Sequence, residues 1–227
     1  MKTKACIFDL DGVLVDTAKY HFLAWKRLAD KLKIKFTEKD NERLKGVSRM
    51  KSLDIILEIG KLNLTNDIRN KYAALKNEWY RDYISHMTPD EILPGSIEFL
   101  KELRKAGILT GIGSASKNTP LILEKTGLKK YFDVVADGNI ITKAKPDPEI
   151  FVTVSEMLET EPSKCIVFED AVAGVQAAHN AGMICIGIGS SDILNEAQYV
   201  VKGLYQLNLK KLEDIEKLSG DEKAVSG

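Results

Sequence analysis

What most restricts the fold of this chain is a set of short, unbroken apolar runs that end in polar groups. Ala5-Cys6-Ile7-Phe8 leads into Asp9-Leu10-Asp11-Gly12, and the pattern returns at residues 108–113, 134–137, 166–170 and 184–188. Runs this short, apolar on both alternating sets of positions, suit strands buried on both faces of a parallel sheet. Helix signals fall between them. Residues 96–106 are closed by Gly107, and residues 172–181 end at Gly182. Thr119-Pro120 reads as an N-cap with proline in the first helical position, and Asp147-Pro148 repeats the signal for a helix to about Leu158. The alternation predicts an α/β fold, a Rossmann-type parallel sheet with helices on both faces.

Residues 17–90 break the alternation and read as helix throughout. Phe22, Trp25, Ala29 and Leu32 keep helical spacing, as do Leu53, Ile56, Leu57 and Gly60. Ile68, Tyr72, Leu75, Trp79 and Tyr83 form the apolar stripe of a third, longer helix, and Thr37 with Asp40 marks a helix start. The expected organisation is an α/β core from residues 1–16 and 91–227, with an inserted helical cap of the four-helix-bundle type at 17–90. The 227-residue chain is electrically neutral, with 33 basic and 33 acidic residues, but the balance is uneven. Residues 16–90 hold 16 basic and 11 acidic groups, against 17 and 22 elsewhere. A basic cap over an acidic core suits an anionic ligand between them, with a metal on the acidic side. The even overall charge gives no field for nucleic acid or membrane. No apolar run approaches the ~18 residues of a membrane span. Cys6, Cys165 and Cys185 sit apart in apolar runs and read as buried reduced thiols, which makes the cytoplasm the expected compartment. The small polar tail from Ser219 is expected to fray.

Ligands of open α/β sheets bind beyond the carboxyl ends of the strands. Those ends carry Asp9 and Asp11, the loop Ser114-Ala115-Ser116-Lys117-Asn118, and Glu169-Asp170, with Lys145 before Pro146. Carboxylates crowded at one rim repel unless a cation holds them, and an all-oxygen donor set suits Mg²⁺. A carboxylate can also attack phosphorus. Residues i and i+2 share a face where a strand ends, so Asp9 and Asp11 can serve one substrate, one attacking and the other moving the proton. Gly12 lets the chain turn beneath the ligand.

Asp9-Leu-Asp11-Gly-Val-Leu-Val-Asp-Thr, Ser114, Lys145-Pro and Glu169-Asp170 resemble the four motifs of the haloacid dehalogenase superfamily. The run from Thr17 through His21 to Trp25, the run from Leu44 to Arg49, Ser52, Lys76, the loop 114–118 and Lys145-Pro-Asp-Pro-Glu-Ile-Phe151 are similar to its β-phosphoglucomutase family. The resemblance covers the chain to about residue 190. It implies exchange of β-D-glucose 1-phosphate and D-glucose 6-phosphate through an aspartyl-phosphate enzyme and β-glucose 1,6-bisphosphate. It implies Asp9 as nucleophile and Asp11 as general acid/base, with Ser114 and Lys145 around the transferring phosphoryl. Mg²⁺ would be held by Asp9, the Asp11 carbonyl and Asp170, with Glu169 as ligand or neighbour of the ligands. Leu44, Gly46, Val47, Ser48 and Arg49 match a specificity loop, and Arg49 with Ala115, Ser116, Lys117 and Asn118 suits the far phosphate. Trp25, Ser52 and Lys76 would face the sugar, although Trp25 also fits a bundle core. His21, just past the first core–cap crossing, would couple closure to Asp11, or simply cap the helix. His86 and His179 read as structural. Gly111-Ile112-Gly113 carries less bulk than the family pattern. The partner is expected to be a small sugar phosphate and the enzyme a monomer. A sugar-phosphate phosphatase is the nearest rival reading. A dehalogenase would not need the acidic set, and a non-catalytic sensor would not need a nucleophile.

Overall fold

The computed structural model describes residues 2–225. Six parallel strands, β1 (Ala5–Phe8), β2 (Leu109–Gly113), β3 (Val134–Ala136), β4 (Cys165–Glu169), β5 (Ile184–Ile188) and β6 (Tyr199–Val201), form one sheet in the order β3-β2-β1-β4-β5-β6. The chain winds to one side of β1 and then returns to the other. The crevice where the order reverses therefore opens beyond the carboxyl ends of β1 and β4.

Alternation along β1 sends Cys6 and Phe8 to one face and Ala5 and Ile7 to the other. On the first face Phe8 stacks on Phe168 at 4.5 Å, with Phe99 edge-on to both. That face is covered by α5 (Ser96–Lys105), α6 (Thr119–Thr126) and α9 (Leu209–Val225), and the second by α7 (Glu149–Met157) and α8 (Val172–Asn180). The glycines of β2 have a packing reason. A Cβ on Gly111 would stand 2.4 Å from Val154 Cγ1, and one on Gly113 3.0 Å from Phe151. The bulk missing from the strand is supplied by α7.

Between β1 and β2 lie α1 (Ala18–Lys31), α2 (Glu38–Asn41), α3 (Arg49–Ile59) and α4 (Asn66–Ser85), a helical cap with its own core of Trp25, Leu28, Phe36, Leu53, Ile56 and Ala73. Thr37 and Asp40 form the reciprocal capping box that starts α2. The two chain crossings lie side by side: Asp16 N–H donates to the Glu91 carbonyl at 3.0 Å, and the Tyr20 hydroxyl to Glu91 Oε1 at 2.6 Å.

Several local expectations shift. The N-cap of α6 is Asn118, with Thr119 already helical, and α7 starts after Pro148, not at it. β6 and α9 were not foreseen, and α9 continues through the polar tail to Val225, with 226–227 outside the described residues. The buried face of α4 is Ala73, Lys76, Tyr80 and Ile84, one step round from the expected stripe, and Ile68 is 39% exposed. A lysine sits on that face, so hydrophobic spacing could not find its centre.

Candidate active site

Lys145 is the electrostatic centre of the site. It is 3% exposed, and its ammonium donates to Asp9 Oδ1 at 2.5 Å and to Glu169 Oε1 at 2.9 Å. Asp9 follows β1, Glu169 ends β4, and Lys145 reaches in from the loop before α7. The other oxygen of each acid accepts a main-chain N–H, Asp9 Oδ2 from Asp11 at 2.9 Å and Glu169 Oε2 from Asp170 at 2.7 Å. Carboxylate oxygens of Asp9, Glu169 and Asp170 lie within 4.8 Å of one another. Burial, and beside it the charge of Asp9, push Glu169 up to about 7 despite the lysine. Asp170 is raised well above the carboxylate range by burial and then by Glu169 and Asp9. With one lysine among three acids, burial and mutual repulsion favour protons on Glu169 and Asp170, and a cation would take the place of those protons.

Asp11 turns its side chain away from that cluster. Its Oδ1 accepts the hydroxyl of Thr17, the fully buried residue just before α1. Burial, with Asp9 next in weight, raises Asp11 to about 6. A carboxyl poised there can both give and take a proton near neutrality. The Thr17 bond also ties this acid to the start of α1.

The cap and core enclose a cavity of about 490 Å³. Asp9, Asp11 and Asp170 stand in its wall on the sheet side. His21, Trp25, Ser52 and Lys76 line it from the cap. Lys76 is 2% exposed, lies over the rings of Trp25 at 4.5 Å and Tyr80 at 4.6 Å, and sits 3.0 Å from His21 Nδ1. Burial, then Arg49, holds its amine well below the usual lysine range, and burial with Lys76 does the same to the His21 imidazole. Among the described residues no hydrogen bond joins His21 to Asp11; the histidine's partner is Lys76.

The loop from Leu44 through Gly46, Val47 and Ser48 to Arg49 closes one side of the cavity. Gly46 has φ +69°, and a Cβ on it would lie 2.8 Å from Ala171 Cβ, so only glycine lets the loop meet the core there. Ala115, Ser116, Lys117 and Asn118 line the facing side. Asn118 bridges the two units: its amide donates to Asn77 at 2.9 Å, and its carbonyl accepts from Arg81 at 3.2 Å. Arg49 and Lys117 thus line the same cavity as Asp9, Asp11 and Asp170. Ser114, Lys145 and Glu169 lie outside the lining, buried behind it. The Ser114 hydroxyl oxygen accepts the Ser116 N–H at 3.1 Å.

Sequence reasoning missed residues that build the site without chemistry of their own. Asn77, Tyr80 and Arg81 carry a helical i, i+3, i+4 spacing, but nothing in the sequence marks them as cavity or bridge residues. Gly174 in α8 is the sharpest omission. A Cβ there would fall 1.5 Å from Glu169 Oε1, so the helix packs directly on that acid. Gly174→Ala is expected to expel the Glu169 side chain and break its bonds to Lys145 and Asp170. The loss should outweigh the ~1 kcal/mol of better helix propensity and leave a net destabilisation of about 1–3 kcal/mol, read as a lower midpoint in urea.

A family model described as haloacid dehalogenase-like hydrolase matches residues 3–182. The chain is 41% identical over 213 residues to β-phosphoglucomutase of Bacillus subtilis, covering 93% of this chain and 94% of that protein. It is 34% identical to a phosphorylated carbohydrates phosphatase of Thermotoga maritima, over 79% and 82% of the two chains. Among solved structures, β-phosphoglucomutase from Clostridium difficile matches with a TM-score of 0.89 and 40% identity, over 94% of this chain and 96% of that one.

Proposed function

The chain belongs to the haloacid dehalogenase-like hydrolases, and within them to the β-phosphoglucomutases; from that premise we propose how its residues interconvert β-D-glucose 1-phosphate and D-glucose 6-phosphate. The observation that carries the reading is the cavity between the helical cap and the sheet, which Asp9, Asp11 and Asp170 line together with the cationic Arg49, Lys76 and Lys117. A phosphatase needs one phosphate site, whereas a mutase working through a bisphosphate must hold two.

In this reading Asp9 carries the phosphoryl group. Asp11 takes the proton of the sugar 6-hydroxyl as that oxygen attacks the aspartyl phosphate, which frees the Asp9 carboxylate and gives β-glucose 1,6-bisphosphate. The bisphosphate turns over. Asp9 then attacks the phosphorus of the 1-phosphate, and Asp11 returns the proton to the departing sugar oxygen. Lys145 offsets charge at Asp9, and the Ser114 hydroxyl supports the transferring group. Arg49 with Ser116, Lys117 and Asn118 anchors the far phosphate by charge-assisted hydrogen bonds. Ser52, Trp25 and the Lys76–His21 pair face the sugar. Asp16-Thr17 and the stretch from Pro89 to Gly95 are the proposed domain crossings and hinges. Closure there shields the acyl phosphate from water.

The donor set fits Mg²⁺, being all oxygen and short of positive charge. Asp9, Asp170 and the Asp11 carbonyl would hold it. Glu169, both of whose oxygens already accept hydrogen bonds, would orient Lys145 and Asp170 beside the ion. When bound, Mg²⁺ draws charge from the transferring phosphoryl oxygens. The reading includes a monomer acting in the cytoplasm on a small sugar phosphate, without nucleic-acid or membrane partners. Three buried unpaired cysteines support the compartment, and none of the described helices is long and apolar enough to cross a membrane.

The test is incubation with β-glucose 1-phosphate, a trace of bisphosphate and Mg²⁺. Glucose 6-phosphate as the main product supports the mutase; inorganic phosphate as the main product sinks it in favour of the phosphatase. Arg49→Ala should lower mutase kcat/KM on the order of 10²-fold, the ~3 kcal/mol of a charge-assisted contact. Hydrolysis of a small aryl phosphate should change far less, and equal losses would remove the second phosphate site. A pH dependence also follows. Asp11 and Glu169 titrate near 6 and 7 when folded, against 3.8 and 4.5 ordinarily, so the folded state holds extra protons between those limits. Stability without metal should therefore fall as pH rises across that window. Mg²⁺ should remove that fall and leave the opposite, rising contribution of His21, whose imidazole is held well below 6.5 by burial and Lys76, as Tm measured at pH 4.5 and pH 7.5, roughly the ends of that window, will show.

A further inference from the structure

A second cavity, of about 310 Å³, meets the carboxylate cluster at Asp170. Its floor is apolar, with Val13, Leu93 and Leu194. Its polar lining includes Ser190, Asp16, Glu42, Lys45 and Lys202, with Glu42 paired to Lys45 at 3.0 Å and Asp16 to Lys19 at 3.8 Å. Its rim reaches solvent, since Ile193 and Tyr205 are 51% and 57% exposed. Among the described residues, only Ala18, Lys45 and Asp170 line both cavities. Of the three converging carboxylates, Asp9 and Glu169 are buried and Asp170 alone is partly exposed. Gly12 lines the second cavity, and a Cβ on it would lie 2.2 Å from Asp170 Oδ2. Only glycine, here at φ +84°, lets that oxygen rest against the wall between the two spaces.

These features bear on a problem the mechanism creates. A sugar bisphosphate fills the first cavity, and the cap covers it. Mg²⁺ keeps several waters in its octahedron and exchanges only if those waters have somewhere to go. The second cavity offers solvent-connected space next to Asp170, the one carboxylate of the three that is partly exposed. We infer that this second cavity is the entrance by which the divalent cation reaches and leaves Asp170, separate from the sugar-phosphate cavity. Ion exchange then requires neither cap opening nor release of the sugar. The inference rests on the metal reading above.

The test uses Mn²⁺ as the probe, with its binding and release followed by stopped flow against a competing fluorescent chelator. Wild-type protein and Ser190→Trp are compared, each with and without saturating glucose 6-phosphate. Ser190 is exposed at the rim and takes no part in the chemistry, so a tryptophan there obstructs the opening and leaves the core intact. Two results are expected. Glucose 6-phosphate should change the wild-type association rate by less than about threefold, and Ser190→Trp should slow association and dissociation by the same factor, on the order of tenfold, with Kd unchanged. Blocked association in the wild type on adding the sugar phosphate would place the entrance in the first cavity and overturn the inference. Unchanged rates in Ser190→Trp would do so too, as would slower association matched by a weaker Kd, which would mean a damaged metal site. Failure of the sugar-free wild type to bind Mn²⁺ at all would remove the metal reading itself.

Discussion

Asp9→Asn is expected to eliminate turnover, with kcat lower by at least about 10⁴-fold and no acyl phosphate trapped on the protein. The amide keeps the size and position of the carboxyl group. Its single amide oxygen can accept from Lys145 or from the Asp11 N–H, which in the wild type use different oxygens, so one bond is lost while the fold should survive. What it lacks is a negatively charged nucleophilic oxygen. One acid fewer also relieves the crowding that raises Glu169 and Asp170, so both should titrate lower than in the parent. Mg²⁺ binding should weaken without vanishing, because Asp170 remains. Acid-quenched protein labelled from radioactive bisphosphate gives the readout, and label retained on Asp9→Asn would move the nucleophile elsewhere.

Lys145→Ala should damage both folding and catalysis. The wild-type ammonium is the internal counter-charge for Asp9 and Glu169, and those partners hold it above the ordinary lysine value against the pull of burial. Removing it leaves like-charged acids within 4.8 Å of one another in a buried site. Breaking a buried pair in this way costs about 3–5 kcal/mol. The loss should be largest above neutral pH, where the acids ionise, and smaller below it, where they hold protons. Saturating Mg²⁺ should restore much of the stability by replacing the missing charge. It should not restore the rate, which stays down by about 10²–10³-fold for want of a cation on the other side of the transferring group. Denaturation midpoints and kcat measured with and without Mg²⁺ separate the two effects. Recovery of both together would mean that Lys145 acts only in folding.

The chemistry was legible because it sits where sequence signals are local. Asp9, Asp11, Glu169 and Asp170 follow unbroken apolar runs, and a strand end is a place that can be read without knowing its neighbours. The expected bulk beside Ser114 was absent for a reason the strand could not reveal, since α7 fills the space over Gly111 and Gly113. The face of α4 was misplaced for a related cause. Lys76 is polar in composition but buried in position, its amine covered by Trp25 and Tyr80 from two helices. Hydropathy assigns such a residue to solvent. Gly174 and the bridge from Asn118 to Asn77 and Arg81 join parts of the chain with no shared local pattern.

The sequence by itself determined the alternating α/β core, the helical insertion and the placing of carboxylates at the strand ends, because periodicity, caps and strand-end residues are properties of neighbouring residues. Only the tertiary structure decided that Lys145 bridges two acids, that Thr17 ties Asp11 to the start of α1, and that Asp170 stands between two cavities. Those relations depend on which surfaces pack together, and desolvation at such contacts sets the charge of each group.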